Sequence, residues 1–473
     1  LTTGDINNEG TLTIADNGCL VQGSATSNQG SGTFKVTNQT LYPNPAAFKY
    51  WSSPVSGETM GDVFGNTTPG DWYNWTPGDP STLANWSQIT SSYTFEAGRG
   101  FITTPENLGT SNISEARTFA GSIHNGPITY SAGNLNVGDF ILAGNPYPSA
   151  IDNAEFVNDN SDLAGTIHYW NHVSNFSNPT NGDYASWNST GGTSSGNGSK
   201  TPNAYTAAMQ GFFVEVAKNG SVDVTFENDQ RVTGNNTQFF KQDSLDTRQR
   251  VWLRAQQDSG VPDRLLVGLL EQATDGQDRL YDGTKLKGNP QIAFYSILGA
   301  EELAIQALDQ DLKDDKVIPL GLDAGKKGSY TIALDSLDNW PGHSIALLDS
   351  AQGTLTNLRE NDYRFAVNQT GSIRDRLYLL ISSKPFAGLG REEARSGELL
   401  YFQRGDALVV DSRLQSSPLE TVTLRSLSGR TLRRAAPGTR RHEIAVGDLP
   451  AGVYLLETQT RSGATTHHKV YLK

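Results

Sequence analysis

Apolar and polar residues alternate along most of this chain, in short runs with a period of two. Thr11-Leu-Thr-Ile14, Cys19-Leu-Val-Gln22 and Thr33-Phe-Lys-Val-Thr37 have the pattern of half-buried strands. Gly10, Gly18 and Gly32 punctuate them, which suits the last turns of a β-solenoid or an edge sheet over residues 1–40. Further strand candidates follow at Tyr93-Thr-Phe95, Gly100-Phe-Ile-Thr-Thr104, Phe140-Ile-Leu-Ala143, Thr166-Ile-His-Tyr-Trp170, Gly211-Phe-Phe-Val-Glu-Val216 and Val222-Asp-Val-Thr-Phe226. These mark an aromatic, Gly/Asn-rich β domain over residues 41–243. From Arg250 to Ile381 nine apolar runs recur at even spacing with turn residues between them and no helical period, which predicts a β-sandwich over residues 244–384. Pro385 to Gly397 reads as a linker, and residues 398–473 as a small all-β module. The predicted fold class is all-β, with tandem β-sandwich domains.

Composition sharpens this picture. The 473 residues suit roughly three domains of about 150 residues each. Gly, Asn, Ser and Thr are abundant, and few helix-forming runs survive among them. Residues 400–473 carry eleven Lys/Arg against six Asp/Glu, a net of +5 that leaves −18 for the remainder of the total −13. An acidic body argues against nucleic-acid binding. The basic C-terminal strands are either a solvated face or a surface for acidic partners, a neighbouring subunit among them. Cys19 is the single cysteine, so no disulfide forms within one chain. No apolar run approaches the length of a membrane-spanning helix. Neither a signal peptide nor an initiator Met is present, which suggests that Leu1 is an internal start.

The C-terminal module carries a resemblance. Ser428-Gly429-Arg430, Leu449-Pro450-Ala451-Gly452-Val453-Tyr454 and the closing basic strand from Lys469 to Lys473 occur in the order and spacing of a known domain. The segment resembles the C-terminal sorting domain (type A-like) of proteins exported by the type IX secretion system of Bacteroidetes. Where that family has a Tyr-Pro-Asn-Pro opening, this chain has Leu400-Tyr-Phe-Gln-Arg-Gly-Asp406. Tyr50-Trp-Ser-Ser-Pro-Val55, Gly98-Arg-Gly-Phe101, Gly144-Asn-Pro-Tyr-Pro-Ser-Ala-Ile-Asp152, His168-Tyr-Trp-Asn171 and Gln210-Gly-Phe-Phe-Val214 are similar to segments of large surface proteins exported by the same route. The resemblance implies an Ig-like C-terminal sandwich, contact with the export machinery, and a place outside a Gram-negative cell. It also implies that Asp243-Ser244-Leu245, Asp335-Ser336-Leu337 and Asp349-Ser350-Ala351 look like O-glycosylation tripeptides.

Candidate chemistry is sparse. Asp275, Asp278 and Asp282 share a Gly-bearing loop, either a calcium site or a turn closed by side-chain-to-backbone hydrogen bonds. Asp309, Asp311, Asp314 and Asp315 form a weaker acidic loop. His168 and His172 are four apart and would share a strand face, but no further metal ligand is adjacent, which favours packing with Trp170. Trp72, Tyr73 and Trp75, with Trp86, form an aromatic cluster suited to core packing, a subunit interface or a glycan platform. There is no Gly-x-Ser-x-Gly elbow and no phosphate-binding Gly loop. No catalytic residues and no cofactor other than calcium are expected. The sequence therefore predicts a secreted, non-enzymatic structural or adhesive protein that assembles with copies of itself into an extracellular appendage, through unpaired strand edges. Alternatives are a glycan-binding surface adhesin and the accessory C-terminal region of a larger secreted hydrolase.

Overall fold

The structure, a computed structural model, describes residues 2–23, 26–65, 71–106, 112–172, 183–194, 196, 201–236, 247–258, 260–312, 315–340, 342–352, 354–383, 399–404, 406–412, 417–426, 429–450, 452–463 and 465–472. Leu1, the tripeptide Asp243 to Leu245, Asp314, the linker 385–397, Ser428 and Lys473 lie outside these residues. The described chain is all-β. Its two α-helices, Met60–Phe64 and Asn153–Asp159, are short. The second is capped by Asp152, whose carboxylate accepts from the amides of Ala154 and Glu155.

The first residues form two stacked turns. Thr2–Thr3, Ile6–Asn7 and Thr11–Ile14 lie parallel to Val21–Gln22, Asn28–Gln29 and the start of Thr33–Tyr42. Carboxylates of the first turn reach down to the second: Asp5 accepts from the Ser27 amide, Glu9 from the Ser31 hydroxyl, and Asp16 from the Gln39 amide. The turns approach so closely at Asn8 that a Cβ on Gly30 or Gly32 would collide with its carbonyl oxygen. The expected boundary at residue 40 falls inside a strand. Thr33–Tyr42 alternates Phe34 and Val36 inward and pairs antiparallel with Ile113–Ile123, from Ile113↔Tyr42 to Gly121↔Phe34. One core, including Ile14, Leu20, Phe34, Trp51, Phe64 and Phe119, joins the coil to the body.

The loop between the turns is locked by side chains far along the chain. Arg231 donates to the Leu20 carbonyl at 2.7 Å, to Ser149 Oγ, and to the side-chain oxygens of Asn125 and Asn228. Its guanidinium lies 4.7 Å from the centre of the Tyr147 ring, and burial draws its pKa down to about 10. Asn228 and Asn236 donate to the carbonyls of Gln22 and Gly18.

The aromatic body is built on two larger sheets. One runs Trp86–Gln88, Trp72–Trp75, Phe101–Thr103, Lys49–Trp51. The other runs Phe140–Gly144, Gly211–Val216, Leu163–Asn171, Asp183–Asn188, Gly191–Thr193. Beyond it, the strands from Gln249 to Ser382 join in one eleven-stranded sheet whose halves line a single core. Its end strands are Thr354–Asn357 and Tyr363–Val367. The Tyr363 hydroxyl donates to buried Asp349, which also accepts from Arg376 at 2.6–3.0 Å. That carboxylate ties one end strand to the region of the other.

In the C-terminal segment a three-stranded sheet (Leu400–Arg404, Ala407–Asp411, Arg441–Ala445) and a four-stranded sheet (Thr431–Ala435, Leu419–Ser426, Gly452–Thr460, Thr465–Leu472) share their own core, with Val410, Val422, Leu424, Ile444 and Leu456 inside. Among the described residues no helix is long and apolar enough to cross a membrane.

Arg231→Met keeps the bulk of the side chain and removes its donors. The expected loss is about 3 kcal/mol, because buried carbonyl and amide oxygens lose a charged partner. It would be read as a lower denaturation midpoint in urea; an unchanged midpoint would mean that Arg231 does not hold the coil.

Candidate functional site

Two features stand where the aromatic body meets the eleven-stranded sheet: an aromatic layer open at its rim, and a buried charged cluster beneath it. The aromatic layer grows from the strand Trp72–Trp75, which has a core on both faces. Trp72 points into the core it shares with the N-terminal coil, at 3% exposure. Tyr73 and Trp75 point the other way, and Trp75 is 2% exposed with its ring N–H on the Phe140 carbonyl at 2.8 Å. Neither Trp72 nor Trp75 therefore offers a face to solvent. Trp86 is half-buried and meets Trp75 edge-on at 5.0 Å.

The open rim consists of residues that sequence reading did not single out as a cluster. Tyr50 and Trp170 stack at 6.0 Å with their planes 12° apart. Tyr184 meets Trp170 edge-on at 5.0 Å, and its hydroxyl lies 3.1 Å from that of Tyr50. Phe213 packs beneath, edge-on to Tyr50, Trp75, Trp86 and Tyr184. Each such pair contributes about 0.5–1.5 kcal/mol beyond area burial. Burial pushes both phenols up, so neither ionises near neutral pH. The two histidines part company here. His172 sits at the rim, its Nε2 3.1 Å from the Asn44 side-chain amide. His168 is fully buried, with Nδ1 2.9 Å from Ser186 Oγ and its ring against Phe140.

Beneath His168 lies the charged cluster. Lys285 and Asp263 are both almost fully buried, and Lys285 Nζ lies 2.6 Å from Asp263 Oδ2 and 2.7 Å from Oδ1. The amides of Arg264 and Phe294 also donate to Asp263, at 2.8 and 2.7 Å. Asp183, 1% exposed, accepts from the amides of Tyr184 and Gly288 at 2.9 and 3.1 Å. Burial opposes the charge on Lys285, but Asp263 and Asp183 outweigh it and raise its pKa.

The candidate calcium loop is a docking element. Asp278 accepts from the Thr274 amide and hydroxyl, Asp282 from the amides of Asp278 and Ala307, and Asp275 from Lys316 at 2.6 Å. The loop's carbonyls then serve the aromatic body: Arg279 O accepts from Gly165 N, Tyr281 O from Thr190 Oγ1, and Asp282 O from Thr166 Oγ1. Burial pushes the Asp282 carboxyl up to about 6. Among the described residues, no group of three or more His, Cys, Asp or Glu is placed to hold a metal ion.

Most of the described C-terminal motif positions fall at turns and strand ends, and Lys469 lies within a strand. Gly429 takes φ 83° in the turn between Leu419–Ser426 and Thr431–Ala435, where Ser426 N donates to exposed Arg430. Leu449 closes a turn onto Val446 O, and the Tyr454 hydroxyl donates to Pro450 O at 2.6 Å. Gly452 opens the strand Gly452–Thr460, and Lys469 lies opposite Leu455 in the closing strand. Of the described tripeptides, Ser336 is exposed, whereas Ser350 is 2% exposed and donates to the Asp375 carbonyl.

Asp183 sets a pH dependence. Burial first, and then the charge of Asp263 against that of Lys285, holds its pKa at about 7. In the unfolded chain an Asp titrates near 4, so between roughly pH 4 and 7 the folded state keeps a proton that the unfolded state has lost. Its contribution to stability is therefore lost as pH rises through that window. His168 works in the opposite sense: burial and then Lys285 lower it to about 3, so its contribution is lost as pH falls from roughly 6.5 toward 3. Asp183→Asn should gain stability relative to wild type as pH is raised from about 4 to about 7. Parallel pH curves for the two proteins in urea melts would show Asp183 charged throughout.

The chain belongs to a family described as a domain of unknown function (DUF8693), whose model matches residues 1–380. The match takes in the coil, the aromatic body and nearly all of the eleven-stranded sheet. A search of curated proteins returned no match.

Proposed function

We propose that this protein is a secreted, non-enzymatic structural or adhesive component of the cell exterior that assembles head to tail with copies of itself. The observation that supports the reading is the coil of stacked parallel strands, an architecture that grows by adding strands along its axis. Thr2–Thr3, Ile6–Asn7 and Thr11–Ile14 each end their sheet among the described residues, with a neighbour on one side. A strand that continues this stack, from the same chain or from another copy, adds by main-chain hydrogen bonds. Residues 1–34 hold Asp5, Glu9 and Asp16 and no Lys or Arg, whereas residues 400–473 carry the +5 excess. Opposite charge on the coil and on the C-terminal module favours a heterologous contact, which makes a filament unless the rotation closes into a ring. The resemblance of the C-terminal module to a type IX sorting domain supports delivery to the outside of a Gram-negative cell.

The test is mass photometry, or negative-stain imaging, of the full chain at micromolar concentration and low salt. Oligomers or fibres that shrink as ionic strength rises are expected. A uniformly monomeric particle at low salt would rule self-assembly out.

A second reading, a glycan-binding adhesin, is favoured by the partly buried Tyr50–Trp170 stack with Trp86 and Tyr184 beside it, since sugar rings bind on aromatic faces that remain partly accessible. On a glycan array Trp170→Ala should lose the signal of the wild type; no wild-type signal, or an equal one in the variant, would discard this reading.

A further inference from the structure

A cleft of about 570 Å³ opens on the eleven-stranded sheet, where the strand Lys316–Ala324 ends beside the start of Gly371–Ser382. Lys287, Glu302, Asp323, Ser372 and Arg374 line it. Buried Tyr295 braces four of the five. Its ring lies across Gly321, where a Cβ would stand 2.0 Å from it, so the ring has one place to lie. Its hydroxyl donates to Asp323 Oδ1 at 2.8 Å and lies 3.1 Å from Ser372 Oγ. Lys287 Nζ and the Arg374 guanidinium stand 4.7 and 6.0 Å from the ring centre. Groups held in this way lose little freedom when a ligand binds.

The two carboxylates are already engaged. Glu302 accepts from Lys287 at 2.5 Å and from Arg374, and Asp323 accepts from Lys287 at 2.6 Å and from Tyr295. Arg374 keeps capacity to spare. Among the described residues Glu302 is its one hydrogen-bond acceptor, reached by Nη1, and the side chain is 40% exposed. Nη2 and Nε remain, two donors in one plane at the spacing of a carboxylate. Thr370 and Ser372, both exposed, bring hydroxyls to the same cleft.

We propose that this cleft binds a sugar acid of the uronate type, with its carboxylate on the open side of the Arg374 guanidinium. Its hydroxyls would meet Thr370, Ser372 and the lone pairs left on Glu302 and Asp323. The two acids set the charge that the cleft accepts. A uronate carries one negative charge, which the guanidinium fork can match. A phosphate carries about 1.5–2 and would meet both carboxylates beside the fork. A neutral sugar leaves the fork without an acceptor, and a bare carboxylate leaves the hydroxyls without partners. Ala324 and Gly325, on the wall, have no side chain beyond a methyl group, so a pyranose ring can come close. Lys326, exposed and next in the chain, adds attraction for an anion in a body that is otherwise acidic. Binding here needs neither self-assembly nor the Tyr50–Trp170 stack, with which the cleft shares no residue.

Saturation-transfer NMR titration of the full chain with sodium glucuronate tests it, with glucose, acetate and glucose 6-phosphate as comparison ligands. Saturable millimolar binding of glucuronate is expected, with each comparison ligand weaker by about tenfold or more. Arg374→Gln, with its fold checked by a urea melt, should weaken glucuronate by about tenfold or more. Thr370→Val, at an exposed position, should weaken glucuronate and leave acetate unchanged. Trp170→Ala should leave glucuronate binding as in the wild type. A wild type without a saturable glucuronate signal would overturn the proposal, as would undiminished binding in folded Arg374→Gln. Loss of binding in Trp170→Ala would place the ligand on the aromatic rim instead. Acetate or glucose 6-phosphate bound as tightly as glucuronate would overturn the assignment to a sugar acid.

Discussion

An all-β chain with many irregular connections must find partners for backbone groups that no ladder reaches. Here buried Asn and Arg side chains supply many of them, and the rest of the architecture depends on it. Asn145 donates to the carbonyls of Ser149, Thr206 and Ala207. Asn160 bridges Phe156 and Thr225, donating to both carbonyls and accepting from the Thr225 amide. Arg231, Asn228 and Asn236 do the same for the loop of the N-terminal coil. An orphaned buried carbonyl costs about 1–3 kcal/mol, so each of these side chains decides whether a whole connection can be buried.

The seam between the aromatic body and the eleven-stranded sheet follows the same rule. Arg248, Arg250, Trp252 and Arg264 donate to the carbonyls of Ser189, Thr190, Gly192 and Gly196. From the other direction, Arg279 reaches the carbonyls of Val157 and Leu163 at 3.2 and 2.8 Å. A hinge opening along this line would strand all of these groups at once. Physical coupling of this kind makes the two bodies one unit, and it explains why the Asp275–Asp282 loop spends its carboxylates on its own backbone, on Lys316 and on the Ala307 amide: the loop must be rigid for its carbonyls to dock.

Local order was legible in the sequence, and long-range order was not. The period-two runs at Thr11-Leu-Thr-Ile14 and Thr33-Phe-Lys-Val-Thr37 are strands with the inward residues that alternation predicts, and the even spacing from Arg250 to Ile381 resolves into strands. Asn, however, reads as turn chemistry, and nothing in its neighbours shows that Asn236 will meet Gly18 from 218 residues away. The run Trp72 to Trp75 read as one cluster. Its strand is covered on both faces, so alternation sends its rings into two cores. Lys285, Asp263 and Asp183 were missed for a related reason: each is a single charge in or beside an apolar strand, and only the pairing of distant strands brings them together.

Edges give the last step. The end strands of the large sheet are consecutive in sequence, and a side-chain bond holds them near each other: Tyr363 on one of them is bound by Asp349 near the other. The first turn of the coil is treated differently. Charged side chains on an exposed edge ordinarily blunt it against another chain. Asp5, Glu9 and Asp16 instead turn inward along the stack and bind groups of the second turn and of the strand that continues it. Their charge therefore stays near the edge as a long-range attraction for a basic partner, while their oxygens are withdrawn from the backbone groups a partner would need. In the self-assembly proposed above, such an edge would draw a basic partner by its field and leave its backbone groups to pair.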